Sequence, residues 1–380
     1  MNAERELMQN SFDSQRIAVV IGTRPEIVKL APIVRMLGSS ARLLHSGQHA
    51  DEELSGVFLS AARLPRPEMI TGICGEPRHA QIGRMVEQIG CRFAKERPAA
   101  VVVQGDTNTA SAAAQAGNYA GVPVVHVEAG LRSFDRAMPE ELNRCVVGVL
   151  ADLHCAPTPR AVANLRAEGV AAERIILTGN TIVEAILAVA PDDDTAREIT
   201  LRLGVEPGRY VLATIHRPEN TDDRDRLASI LDELSKLGLP VLLPLHPRTR
   251  LAAARHDLGA AMDRLLLAPP VDHRTFLGLA RHARLIVSDS GGVQEECTVL
   301  KRPLVVVRNS TERPEAIEAG FAHLVRSGPA LGDISRRLLA DTGLDQRLAA
   351  LACPYGDGRA SERITACLRR FLRPNGPGEK

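Results

Sequence analysis

The sequence predicts an α/β protein of two doubly wound, Rossmann-like domains with parallel sheets. Three observations lead there: short continuous apolar runs recur along the chain, segments with helical periodicity separate them, and one polar stretch near the middle breaks the alternation. Runs that are apolar at every position suit strands covered on both faces, which is how parallel sheets are built.

In order, the runs are RIAVVIG (16–22), AAVVVQG (99–105), VPVVHVE (122–128), RIILTG (174–179), YVLATIH (210–216), PVLLPLH (240–246), RLIVSDS (284–290) and PLVVVRN (303–309). Each reads as a buried strand. Between them, segments such as PEIVKLAPIVRMLG and DRLASILDELSKLG space their apolar residues as helices packed on a sheet require. The stretch AVAPDDDTAREITLRLGVEPGRY (188–210) brings in Pro, an acidic triplet and Gly, so the domain boundary is placed there, giving domains 1–187 and 188–355. A chain of 380 residues exceeds what one core usually organises, and an apolar fraction of 44% is enough for two.

The charge balance excludes several function classes. Lys and Arg number 47 against 46 Asp and Glu, so the net charge of +1 offers no general attraction to nucleic acid or to a membrane surface. Any anion site must be local. The 7 cysteines are odd in number, show no CxxC spacing and lie in apolar segments, as reduced thiols do. The start, MNAERELMQNSFDSQR, has no apolar signal-peptide core, and the expected location is the cytoplasm.

In open parallel sheets the ligand lies beyond the carboxyl ends of the strands. Nearly every polar cluster follows one of the runs: GTRPE (22–26), GDTNT (105–109), EAGLRSFDRAMPEELNR (128–144), GNT (179–181), HRPEN (216–220), HP (246–247) and SDSGGVQEE (288–296). Two domains aiming such loops at a shared cleft would make a binding site there.

The segment from Ser288 to Glu296 follows a strand and opens a helix, where free N–H groups, the helix dipole and two glycines favour an anion. Ser290, Gly291 and Gly292 are assigned to a diphosphate and Glu296 to ribose hydroxyls; an ordinary helix N-cap fits the same residues. GTRPEIVK places Arg24 and Lys29 where they would balance that charge, although Lys29 also suits a helix surface. Neither GxGxxG nor GxxxxGK[ST] occurs after the first strand, so no cofactor is expected.

Asp106, Glu128 and Glu140 follow successive strands, as a set of acid and base groups would. Asp106 also suits a helix cap and Glu140 a first-turn dipole residue. Glu128 ends so apolar a strand that it needs a partner, with Arg132 and Arg144 as candidates. His216 suits a donor to the diphosphate or a helix cap. His45 and His49 stand four apart with no acid nearby, and no metal is expected.

Taken together, GTRPEIVKLAPI, HSGQHADEEL, VVVQGDTNTASA, HVEAGLRSFDRAMPEELNR, APT, TGNT, TIHRPENTDD, LPLHP, SDSGGVQEE, TERPEA and PYGDG resemble the non-hydrolysing UDP-N-acetylglucosamine 2-epimerase family in order and spacing, over roughly residues 16 to 370. The resemblance implies a GT-B-like fold whose C-terminal helix, 356–380, crosses back to the first domain from PYGDG. It implies that Arg24, Lys29, His216, Ser290, Gly291, Gly292, Glu296 and Arg313 hold UDP, with Phe276 near the uracil. Asp106, Glu128 and Glu140, with His216, become the catalytic groups. It further implies a homodimer and a second UDP-N-acetylglucosamine bound as an activator near Gln48, His49 and Arg217.

One departure stands out. Where the family reads Asn-Arg, three residues and then Asp-His, this chain has Gly148-Val149 after Val147. The reaction implied is elimination of UDP and its re-addition with C2 inverted. Its rivals are a hydrolysing epimerase releasing the free sugar, an epimerase of another UDP-sugar such as a diacetamido uronic acid, a GT-B glycosyltransferase, and a non-catalytic sensor. An aromatic content of 3% and the lack of a basic amphipathic stretch leave the acceptor groove of a transferase without support.

Overall fold

The structure is a computed structural model and describes residues 15–48, Leu59 and residues 64–372. The chain divides into two compact units, Met1–Ala185 with Gly356–Lys380, and Ile186–Tyr355.

The first unit is built on a parallel sheet of β1 (Ile17–Ile21), β2 (Ala41–His45), β3 (Glu68–Met69), β4 (Ala100–Gln104), β5 (Val124–Val127), β6 (Leu153–Ala156) and β7 (Ile175–Leu177). Its order is β3-β2-β1-β4-β5-β6-β7. The flanking helices used below are α1 (Arg24–Leu37), α2 (Arg78–Lys95), α3 (Asn108–Tyr119), α4 (Pro139–Leu150) and α5 (Pro159–Ala167). The continuous apolar runs are explained by two buried clusters on opposite faces. Ile17, Val19 and Ile21 of β1, with Ala100 and Val102 of β4, join α1 on one face. Ala18 and Val20, with Val101 and Val103, join α2 and α3 on the other. Alternate side chains of one strand thus enter different cores.

The second unit holds β8 (Val211–Thr214), β9 (Val241–Pro244), β10 (Leu266–Ala268), β11 (Leu285–Ser288), β12 (Leu304–Val307) and β13 (Ala322–Val325), all parallel in the order β10-β9-β8-β11-β12-β13. Its helices include α6 (Pro218–Thr221), α7 (Arg224–Ser235), α8 (His273–His282) and α9 (Gly291–Leu300). The last helix, α10 (Ala360–Leu372), belongs to the first unit and packs on α1, with Ile364 and Leu368 fully buried in the β1 core. Glu184 fixes its start by accepting from the Ser361 amide at 2.8 Å.

The two parallel-sheet α/β units are the predicted fold class. Each apolar run contains a strand, and β2, β3, β6, β10 and β13 were not signalled. β3 has only two residues, β10 and β13 are partly exposed edge strands, and the runs of β2 and β6 are interrupted by Arg42 and His154. Among the described residues no helix is long and apolar enough to cross a membrane.

In each sheet the winding direction reverses at one place, between β1 and β4 in the first unit and between β8 and β11 in the second. The loops after these strands diverge there and leave the crevice in which doubly wound sheets bind ligands. Those loops are GTRPE, GDTNT, HRPEN and SDSGG.

Two histidines lie inside the first sheet, His126 on β5 opposite His154 on β6. Burial lowers the pKa of His126 to about 3 and that of His154 to about 4. Both are neutral in the folded state, whereas the unfolded chain takes up protons below about pH 6.5. Their contribution to stability is therefore present above about pH 6.5 and lost as the pH falls toward 4, by roughly 2 kcal/mol each on reaching pH 5. Urea unfolding at pH 7 and pH 5 should show a smaller loss for His154→Leu than for the parent chain.

Candidate functional site

In the first unit the GTRPE loop becomes α1 through a capping box. Glu26 accepts from the Thr23 amide at 2.7 Å, the Gly22 amide at 2.9 Å and the Thr23 hydroxyl at 2.9 Å. Its other oxygen accepts from the Thr107 hydroxyl at 2.6 Å, which ties this loop to the one after β4. Burial pushes the Glu26 carboxyl up to about 7, against the pull of these donors. Arg24 stands exposed in the first turn of α1, while Lys29, one turn further, is 5% exposed. The surface alternative for Lys29 is thereby removed.

Lys29 reaches Glu128. Its Nζ lies 2.6 Å from Oε2, and Gln104 at the end of β4 donates to the same oxygen at 2.9 Å. Glu128 is 6% exposed and sits just past β5 with φ +65°, in the left-handed region that a glutamate rarely enters. Sequence reasoning offers Arg132 or Arg144 as its partner. The structure supplies Lys29 instead, because α1 packs over β4 and both arginines are turned to other carboxylates.

Arg144 of α4 donates through Nε to Asp106 at 2.9 Å and pairs with Glu141. Thr107, whose side chain accepts from Ala110 N, caps α3, so Asp106 is not needed as the cap. Asn143 donates to the Asp106 carbonyl at 2.8 Å and is itself held by Arg78 at 2.8 Å. Asp106 therefore sits in a built mount with its carboxylate 28% exposed.

The two glutamates of MPEE part company. Glu141 is buried and accepts from the Ser133 amide at 2.9 Å and the Phe134 amide at 3.0 Å. Burial raises its pKa, but those donors and the Arg144 guanidinium outweigh it and hold the carboxyl below its ordinary range. Glu140 is exposed in the first turn of α4, and no hydrogen bond among the described residues brings it to Asp106 or Glu128. Of the three expected carboxylates, two are held by cations in this unit and the third is at the surface.

In the second unit the loops after β8 and β11 are sewn together by Asp289, which is fully buried. It accepts from the amides of His216 and Arg217, each at 2.9 Å, and from Asn220 at 3.0 Å. The His216 ring places Nδ1 3.2 Å from Asp289 and its centroid 5.0 Å from that of His246. Burial lowers the pKa of His216 despite the facing Asp289 carboxylate. It is not a helix cap; Arg217 occupies that position before α6.

Asp289 is thus engaged with the HRPEN loop, and Ser290 makes no side-chain cap bond to α9. The first turn of α9, Gly291-Gly292-Val293, carries no acid, so the ordinary capped start is not what forms here. A Cβ built on Gly291 would lie 3.0 Å from Arg313 Nη1 and 3.5 Å from Arg217 Nη2, with Glu312 Oε1 at 3.1 Å. Two guanidiniums meet at an uncapped helix N-terminus, which is what an anion of charge near −2 requires. Burial and then the neighbouring Arg308 depress the Arg217 guanidinium, a sign of crowded positive charge.

Glu312 arranges this crowd by pairing with both Arg308, at 3.0 Å, and Arg313. Glu296, one turn into α9, is 8% exposed and lies 2.9 Å from His273 of α8. Phe276, on that same helix, is half-buried against the core of the unit. Of the residues expected in a second nucleotide site, Gln48 accepts from the Thr109 amide at 3.0 Å in the first unit and Arg217 belongs to the second unit. His49 lies outside the described residues. Among the described residues no three His, Cys, Asp or Glu side chains are grouped to hold a metal.

A family profile described as UDP-N-acetylglucosamine 2-epimerase matches residues 36–369. The chain belongs to the UDP-N-acetylglucosamine 2-epimerase family. It is 35% identical to the UDP-N-acetylglucosamine 2-epimerase of Methanocaldococcus jannaschii over 367 residues, covering 93% of this chain and 98% of that protein. The UDP-2,3-diacetamido-2,3-dideoxy-D-glucuronate 2-epimerase of Pseudomonas aeruginosa is 34% identical over 366 residues, covering 94% and 100%. The crystal structure of the M. jannaschii epimerase in complex with UDP-GlcNAc and UDP matches with a TM-score of 0.82 at 35% identity, over 93% of this chain and 99% of that one.

Several members of these networks were missed in the sequence. Glu26 had a legible signal, being the fourth residue of Thr-Arg-Pro-Glu, the spacing of a capping box. Gln104, Glu141, Asp289 and Glu312 had none that separated them from their neighbours. The Gly291 geometry gives a direct test. A larger side chain there meets Arg313 and Arg217 before any backbone, so Gly291→Val should fold normally yet bind inorganic pyrophosphate at least about tenfold more weakly in calorimetric titration.

Proposed function

We propose that the protein interconverts UDP-N-acetylglucosamine and UDP-N-acetylmannosamine by inversion at C2, without a cofactor. The observation that carries this is the buried Glu128 carboxylate at the end of β5, held by Lys29 and Gln104 beside the Asp106 mount. In the other unit an uncapped helix N-terminus flanked by Arg217 and Arg313 is suited to a diphosphate. Membership of the epimerase family supports the choice of sugar.

The hydrogen at C2 is not adjacent to a carbonyl, so a carboxylate cannot remove it unaided. Cleavage of the C1–O bond gives C1 oxocarbenium character and acidifies the C2 hydrogen. A base then takes that proton, the C1=C2 double bond forms, and UDP leaves as an anion, giving 2-acetamidoglucal. For return, a proton is delivered to the opposite face of C2 and a UDP phosphate oxygen rejoins C1. Two faces need two acid-base groups, and Glu128 and Asp106 are assigned to them, with Glu140 as the third carboxylate of the set.

In the second unit UDP is assigned to Ser290, Gly291, Gly292, Arg313 and His216, with Glu296 on the ribose and Phe276 beside the uracil; in the first unit Arg24 and Lys29 are assigned as cationic substrate-binding residues. Stabilising the departing diphosphate is the largest electrostatic demand of the reaction, and each fixed donor at such a position contributes about 10²–10³ in rate. Burial lowers the pKa of His216, and its ring is assigned to donate a hydrogen bond to the departing diphosphate.

Proton NMR of UDP-N-acetylglucosamine in D2O with the enzyme should show deuterium at C2 and a mixture of the two nucleotide sugars. Free N-acetylmannosamine plus UDP would show the hydrolysing reaction, and C2 exchange only in a diacetamido uronic acid would change the sugar. Glu128→Gln should lower turnover and C2 exchange by at least about a hundredfold; full activity of that variant removes Glu128 from the mechanism. The reading extends to a cytoplasmic homodimer with a second UDP-sugar bound as an activator. Sedimentation and a sigmoid rate curve against UDP-N-acetylglucosamine are the expected results.

A further inference from the structure

Glu128 holds a backbone conformation that persists only where its surroundings over-determine it. Its carboxylate is held by Lys29 and Gln104, and the backbone that follows it is held by one face of α5. Asn164 donates to the Gly130 carbonyl at 2.9 Å. Gly130, at φ +86°, is pressed so closely on this helix that a Cβ would lie 2.3 Å from the Ala161 carbonyl oxygen. Glu168, the residue at the C-terminal cap of α5, grips Arg132 with both oxygens, from Nε at 2.6 Å and from Nη2 at 2.6 Å. The remaining Arg132 nitrogen, Nη1, donates to the Leu131 carbonyl at 2.6 Å. Positions 161, 164 and 168 stand three and four apart, so one helical stripe backs the turn from Ala129 to Arg132 that follows Glu128.

The Arg132 side chain is 2% exposed, and a charge so buried needs a fixed counter-charge. The other wall near it is α4 at Gly148, which has no side chain to offer. A Cβ built there would lie 3.1 Å from Arg132 Nη2 and 4.0 Å from Glu168 Oε2. The atom it meets is the end of a flexible side chain, so a short acid at 148 would compete with Glu168 for the same guanidinium.

We propose that Glu168 is a positioning residue for Glu128: through Arg132 it locks the turn that presents the carboxylate, and Gly148 leaves that task to it alone. The effect on turnover rests on the assignment of Glu128 to the epimerase reaction, whereas the effect on the turn does not.

Three variants test it, Glu168→Ala, Gly148→Asp and the double variant, each read by kcat and KM for UDP-N-acetylglucosamine and by hydrogen exchange of the amides of residues 128–132. Glu168→Ala should lower kcat at least about tenfold with KM little changed, and should speed exchange in the turn. Gly148→Asp alone should also lower kcat, because two carboxylates then crowd one arginine. The double variant should regain most of the kcat and the protection, a reversal of sign that a merely stabilising residue would not produce. Normal exchange in Glu168→Ala, or a double variant no better than Glu168→Ala in exchange, overturns the proposal whether or not the parent enzyme turns over this sugar. If Glu168→Ala does not fold, Glu168→Gln with and without Gly148→Asp makes the same comparison. Altered exchange with unaltered kcat, in a parent that does turn over, removes Glu128 positioning from catalysis and also overturns it.

Discussion

A parallel strand can be followed by its neighbour only after the chain has crossed a face of the sheet, and the direction of that crossing reverses once in each unit of this protein. The reversal falls between β1 and β4 and between β8 and β11. Everything chemical in the structure depends on it. The four loops at those strand ends carry Glu26, Asp106, His216 and Asp289, while Glu128 follows the next strand over. The central strands β1, β4, β5 and β6 of the first unit contribute almost nothing polar beyond Gln104 and the two neutral histidines, since both faces are covered by helices.

Gathering such loops brings carboxylates into low dielectric, where an unpartnered charge is costly. The first unit meets this mostly with cations, Lys29 for Glu128, Arg144 shared by Asp106 and Glu141, and Arg132 for Glu168, while Glu26 is held by amides and hydroxyls. Such pairs are weak as sources of stability, because desolvation consumes most of the attraction, but removal of one member leaves the other stranded. Their value here is in geometry. Each pair fixes a carboxylate relative to a backbone segment that would otherwise choose among several conformations.

The second unit solves the opposite problem, holding several cations close together. Glu312 stands between Arg308 and Arg313, and Asp289 spends its oxygens on the amides ahead of α6. With Asp289 so occupied, the start of α9 has no side-chain cap from Ser290, and the guanidiniums of Arg217 and Arg313 stand close to Gly291.

The sequence by itself determined the fold class and the strand-end loops, because a sheet buried on both faces demands uninterrupted apolar runs and pushes polar groups to their ends. It also placed Lys29, Asp106, Glu128, His216 and the Ser290 helix start among the residues of interest. It could not tell Glu140 from Glu141, which stand four and three residues before Arg144 and have equal claim to it along one helix face. Only the tertiary structure decided, by folding Ser133 and Phe134 back over that helix so that their amides select Glu141. The same holds for Lys29 in place of Arg132 beside Glu128, and for Glu168 on Arg132. Those pairings join residues 99 and 36 positions apart, and what brings them together is the packing of helices on a sheet, which no local pattern encodes.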